Sequence, residues 1–125
     1  METVSPNLFV RDLTTSISYY EKLGFHVVTT VPDENGKTIF ALMMKGSVTF
    51  MFQTIESLKN ELPVISRQGG GSLLLYVKIK GIRDYFEIVK EKVNVISGLQ
   101  KMFYGATEFL VLDPDNFVIT FAEDE

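Results

Sequence analysis

Apolar and polar residues alternate over residues 4–10 (VSPNLFV), 37–45, 48–54, 108–112 and 117–122, the period-two pattern of strands with one covered face. Pro6 stands near the start of the first run, where a missing N–H is tolerated at an edge. Leu13, Ile17 and Tyr20 then recur at helical spacing and predict a helix over 13–23, with Asp12 as its N-cap and Gly24 as its stop. The β-branched run 25–31 predicts a further strand, closed by the turn sequence Pro32-Asp33-Glu34-Asn35-Gly36, and Gly46-Ser47 is a tight turn between the next two strands. The order is strand, helix, three strands.

Residues 55–71 break this pattern with mixed charge, Pro63 and the Gly69-Gly70-Gly71 run, which reads as a linker with a short helical turn inside it. The pattern then restarts. A strand is predicted over 72–79 and a helix over 82–92, with Ile82, Phe86 and Val89 on one face. A weaker strand follows over 93–97, and the pair 108–112 and 117–122 closes the chain around Asp-Pro-Asp-Asn. At an offset of 69 residues Phe109 falls on Phe40, Thr107 on Thr38, Asp115 on Gly46 and Phe121 on Phe52. One module is written twice. The expected organisation is a single domain, with module 1 over about 1–54, a linker over about 55–71 and module 2 over about 72–125.

Strand parity divides the repeat into two faces. Leu8, Val10, Phe50, Phe52, Leu73, Leu75, Val77, Ile119 and Phe121 form the large apolar face expected beneath the helices. Ser5, Asn7, Thr49, Met51, Gln53, Ser72, Leu74, Tyr76, Thr120 and Ala122 form the other, which is semi-polar and almost uncharged. A second core would be more apolar and a solvated face more charged, so this set fits a concave ligand pocket; a subunit interface is the plainer alternative.

Composition narrows the class. The chain has 125 residues, 46% hydrophobic and 22% charged, which suits one globular domain rather than disorder. No apolar run approaches the roughly 20 residues of a membrane helix. The opening METVSPNLF lacks a signal peptide's basic start, so a cytoplasmic location is expected. The absence of cysteine removes disulfides, thiolate ligands and cysteine nucleophiles. A net charge of −4 without a basic stripe argues against nucleic acid and tolerates a cationic small ligand.

Two stretches carry a resemblance. NLFVRDLTTSISYYEKLGF is similar to the first strand, helix and Leu-Gly-Phe exit of the vicinal oxygen chelate superfamily, which includes glyoxalase I, extradiol dioxygenases, fosfomycin-resistance enzymes and bleomycin-resistance proteins. YGATEFLVLDPDNFVITF is similar to that superfamily's tyrosine-glycine strand and DPDG hairpin, with Asn116-Phe117 where the family commonly has Gly-Asn. The resemblance covers nearly the whole chain and rests on scaffold features. It implies an α+β fold of two tandem βαβββ modules, a curved mixed sheet around a cleft with one helix per module on the outer face, and a homodimer.

Enzymes of that superfamily hold a divalent metal at four strand positions, which align here with Ser5, Met51, Leu74 and Thr120. Leu74 follows Ser5, and Thr120 follows Met51, by the same 69 positions as the repeat. None is an imidazole, carboxylate or thiolate, and the flanking Val4, Pro6, Phe50, Phe52, Leu73, Leu75, Ile119 and Phe121 offer none either. No metal and no other cofactor is expected.

Among residues able to do chemistry, His26 lacks a neighbouring acid or second histidine and reads as a surface strand residue. Asp12 reads as a helix cap, and Asp113 and Asp115 as turn residues. Glu108 has the parity of the cleft face, together with Leu110. A lone acid there would anchor a cationic group or act as a base; the plainer reading is a solvated edge-strand glutamate. Tyr76, Phe103 and Tyr104 are candidate aromatic walls, and Met43, Met44, Met51 and Met102 a plastic lining. The expected function is a small-molecule-binding protein of the bleomycin-resistance type, holding an aromatic or cationic ligand without metal. The lack of tryptophan counts against bleomycin itself. The alternatives are a glyoxalase-like lyase, isomerase or dioxygenase leaning on Glu108 or Tyr76, and a dimeric scaffold without ligand.

Overall fold

The computed structural model describes residues 1–65 and 68–125 and divides into two compact units, Met1–Arg67 and Gln68–Glu125. Each is a βαβββ module. The first runs β1 (Asn7–Val10), α1 (Leu13–Lys22), β2 (His26–Pro32), β3 (Thr38–Lys45) and β4 (Val48–Thr54), followed by a single 3-10 turn at Ile55–Leu58. The second runs β5 (Leu74–Lys78), α2 (Ile82–Val89), β6 (Asn94–Lys101), β7 (Ala106–Leu112) and β8 (Val118–Asp124). The sheets have the same order, β1-β4-β3-β2 and β5-β8-β7-β6, with β1 parallel to β4 and β5 parallel to β8. No described helix is long and apolar enough to cross a membrane.

The helices form where the sequence places a cap and an apolar stripe. Asp12 is extended and its Oδ1 accepts the Thr15 N–H at 3.3 Å, satisfying one of the amides the first turn leaves unpaired. Gly24, at φ +99, accommodates the left-handed step that ends α1. The helix buries Leu13 and Tyr20, and the Tyr20 ring meets Phe25, Phe50 and Phe52 at centroid distances of 5.8, 5.7 and 4.6 Å. The second module repeats this core: Phe86 lies 5.0 Å from Phe109, and Tyr85 5.2 Å from Phe121. Such aromatic pairs contribute about 0.5–1.5 kcal/mol each beyond area burial.

Several boundaries shift from their expected places. β1 starts at Asn7 rather than residue 4, because ladder pairing begins at Asn7↔Met51 and Pro6 contributes only its carbonyl, to the Met51 N–H. β5 starts at Leu74, where β8 first offers a partner in Val118; Leu73, expected on the apolar face, lies outside the strand and is 47% exposed. α2 ends at Val89 instead of 92, since the chain turns there, with the Lys92 and Val93 N–H groups both bonded to the Val89 carbonyl. β6 extends to Lys101 rather than 97, held by Gln100↔Glu108 and Lys101↔Thr107 beyond a register shift. Met43 belongs to the core under α1, paired with Phe50, and not to the lining with Met44 and Met51.

The repeat offset is also not uniform. Asn7↔Met51 and Tyr76↔Thr120 keep the offset of 69, but Met44↔Thr49 corresponds to Leu112↔Val118. Four residues therefore lie between the partners of that pair in the first hairpin and five in the second, and β7 matches β3 at an offset of 68. Glu108, not Phe109, takes the place of Phe40.

The expected linker at 55–71 includes residues 66 and 67, which lie outside the described residues. Gly69 and Gly70 are not loose spacers. A Cβ on Gly69 would stand 2.5 Å from the Asp115 carbonyl oxygen, and one on Gly70 2.8 Å from that of Asn116. This backbone lies directly on the β7–β8 loop. That loop is built around Asp113, whose Oδ1 accepts the Asp115 and Phe117 N–H groups at 2.8 and 2.9 Å. Asn116 takes the left-handed φ of +67 that a glycine would take more readily, and the Phe117 ring is buried.

Candidate functional site

The sequence-predicted site residues fall into two sets, one on each sheet, both on the face turned away from the module's own helix. In the first module Asn7 lies on β1 and Thr49, Met51 and Gln53 on β4, all half-buried; Ser5 precedes the strand. Asn7 Nδ2 donates to Gln53 Oε1 at 3.1 Å, and Gln53 Nε2 to Ser57 Oγ at 2.9 Å, which in turn donates to the Thr54 carbonyl. Ser57, at the 3-10 turn, was not among the sequence candidates. Asn7 Oδ1 is buried and meets no donor among the described residues.

The second module carries the stronger constellation. Glu108 lies on β7, an internal strand between β8 and β6, opposite Ala122 and Gln100. It is 5% exposed. The expectation of a solvated edge-strand glutamate is therefore corrected, because flanking strands and the side chains of Tyr76 and Tyr104 remove it from water. Both phenol hydroxyls donate to Glu108 Oε2, each at 2.6 Å. Tyr76 reaches it from β5 across the intervening β8, above the Tyr76↔Thr120↔Leu110 row. Tyr104 reaches it from the turn after β6, shaped by the Gly105 N–H bonding to the Met102 carbonyl and the Met102 N–H to that of Ala106.

Tyr76 and Tyr104 remain 47% and 54% exposed, and the Phe103 ring, 98% exposed, stands edge-on to Tyr104 at 5.1 Å. Leu74 is exposed on the same strand face as Tyr76, Leu110 is half-buried and Thr120 is buried. The sequence named each of these residues singly. Their convergence was missed, although the shared parity of Tyr76, Glu108 and Thr120 was a legible signal.

The electrostatics follow from the contacts. The Glu108 hydrogen bond, followed by burial and by the carboxylate's charge, raises the Tyr76 hydroxyl to about 12. Tyr104 is raised for the same leading cause. Loss of either proton would set a phenolate against a carboxylate, so both remain neutral donors near pH 7.

The divalent metal of the family's enzymes has no matching donor set. Met51 and Leu74 are apolar, Ser5 and Thr120 offer only hydroxyls, and among the described residues no three His, Asp or Glu side chains gather. His26 is exposed on β2.

Comparison with known proteins agrees with this architecture. Residues 3–121 match the model of the Glyoxalase/Bleomycin resistance protein/Dioxygenase superfamily. A bleomycin resistance protein of Geobacillus stearothermophilus is 28% identical over 127 residues, spanning 93% of this chain and 92% of the relative. A crystal structure of a protein of unknown function from Agrobacterium tumefaciens superposes with a TM-score of 0.77 at 28% identity, over 100% of this chain and 95% of that one. A bleomycin-binding protein complexed with bleomycin superposes at 0.66 with 19% identity over the full length of both chains, a likeness of fold. The doubled βαβββ architecture and the family match together place this chain in the glyoxalase/bleomycin resistance/dioxygenase superfamily.

Proposed function

We propose that this chain is a small-molecule-binding protein of the glyoxalase/bleomycin-resistance type, which holds or sequesters its ligand without a metal. It acts as a cytoplasmic homodimer in this reading, each chain a single domain of two modules. The observation that supports it is the Glu108 cluster: a buried carboxylate flanked by half-exposed aromatic residues, on a sheet face where Lys78 and Asp124 are paired with each other. Such a surface combines apolar contact with one placed charge, the ordinary composition of a ligand pocket. The relative's name concerns bleomycin resistance, which makes bleomycin the first ligand to test.

The test is calorimetric titration of chelator-treated protein with bleomycin and with a panel of flat and cationic small molecules. Stoichiometric binding that returns the ligand unchanged is expected. Metal content after re-exposure to Ni, Mn, Zn and Fe(II) is measured alongside, and one tightly held ion per chain would overturn the metal-free reading.

The burial of Glu108 also favours a second reading, an enzyme in which its carboxylate is a general base. Oε2 is committed to two phenols, so a base would act through Oε1. Conversion of a bound compound that survives Glu108→Gln unchanged would remove that role.

A further inference from the structure

The polar atoms around Glu108 are unbalanced between donors and acceptors. A phenol has one proton to donate, and both Tyr76 and Tyr104 spend theirs on Glu108 Oε2. Each phenol oxygen keeps its lone pairs. Glu108 Oε1 meets no donor among the described residues. Lys78, two residues beyond Tyr76 on the same face of β5, is engaged elsewhere: its ammonium pairs with Asp124 at 2.7 Å. The cluster thus presents one carboxylate oxygen and two phenol oxygens, all acceptors, with a net negative charge.

We infer that the Glu108–Tyr76–Tyr104 cluster recognises a primary ammonium group on an aromatic ligand. This deepens, and rests on, the small-molecule-binding reading. An ammonium carries three N–H donors on one compact charge, matching three acceptors around one carboxylate. An alcohol offers a single donor and no charge, and a carboxylate or phosphate is repelled. A quaternary ammonium has the charge but no N–H. The ligand's ring meets Phe103, an exposed apolar side chain that stands edge-on to Tyr104.

The experiment titrates the protein with benzylamine, benzyltrimethylammonium, benzyl alcohol and benzoate, following tyrosine fluorescence, which no tryptophan obscures. Benzylamine is expected to bind at least tenfold more tightly than each of the other three. Glu108→Gln is expected to abolish that preference, with far-UV circular dichroism confirming the fold. Because a buried substitution can unfold a domain, Tyr76→Phe is measured as well. It keeps the carboxylate and, in place of the phenol oxygen it removes, frees a lone pair on Glu108 Oε2, so the preference for benzylamine over benzyl alcohol is expected to survive it. Equal binding of benzylamine and benzyl alcohol, or a preference that survives Glu108→Gln, overturns the inference while leaving small-molecule binding intact. If none of the four probes, nor bleomycin, nor any member of the wider panel binds, both readings fail together.

Discussion

Tyr76 and Glu108 lie 32 residues apart in the chain and on strands that are not neighbours, yet the phenol donates to the carboxylate at 2.6 Å. The contact spans the intervening β8, and Ala122, opposite Glu108, leaves room for it. Tyr104 completes the arrangement from only four residues away.

The clearest consequence is spectroscopic. Tyr76 has its pKa raised to about 12, first by the Glu108 hydrogen bond. In an alkaline titration of tyrosinate absorbance, Tyr76 is expected to ionise late in the wild type. In Glu108→Gln it is expected to move back toward the ordinary value near 10. The sign for stability follows: a proton held more tightly in the folded chain stabilises it below pH ~10, and that contribution is lost as pH rises toward about 12. Tyr104 and the half-buried Tyr85, also raised, act in the same direction. An unshifted titration in Glu108→Gln would remove the hydrogen bond as the cause.

The start of α2 is capped from across the module. Gly81 offers no side chain, and the Glu123 carboxylate accepts the Gly81 and Ile82 N–H groups at 2.9 and 3.0 Å. Loss of a comparable cap costs about 1 kcal/mol. Glu123→Ala is therefore expected to lower the unfolding free energy by that amount, seen as a lower urea midpoint with the slope unchanged, and a midpoint within error of wild type would refute it.

Gly69 tests the packing of the segment before β5. With a Cβ only 2.5 Å from the Asp115 carbonyl oxygen, Gly69→Ala must displace backbone, and overpacking of this kind costs about 1–3 kcal/mol. Gly36→Ala, in open space at φ +84, is the control that bears only backbone strain. Thermal melts of both are expected to rank Gly69→Ala as the more destabilised.

Asp113 organises the β7–β8 loop. Asp113→Ala leaves the Asp115 and Phe117 N–H groups without their acceptor in a buried turn, at about 1–3 kcal/mol per unpaired group. Asp113→Asn keeps a carbonyl oxygen in place and is expected to recover most of that loss. Equal melting temperatures for the two variants would mean that the side-chain oxygen is not what holds the loop.

The sequence alone determined the doubled βαβββ order, the Asp12 cap, the Gly24 stop and the apolar face beneath the helices. These depend on local propensity and on periods of 2 and 3.6, which are written in consecutive residues. It also established the absence of imidazole and carboxylate at Ser5, Met51, Leu74 and Thr120, a matter of residue identity alone. Pairing decided the rest. The one-residue mismatch that puts Glu108 in the place of Phe40 comes from a longer hairpin loop, and only the ladder reveals it. Burial of Glu108 depends on β6 running past Gly98 to Gln100 and Lys101, polar residues whose local pattern does not predict a strand. Parity told which side of the sheet Tyr76 and Glu108 share. Only the lateral order β5-β8-β7 set them within hydrogen-bonding reach, because strand order is fixed by long-range pairing and leaves no local trace in the sequence.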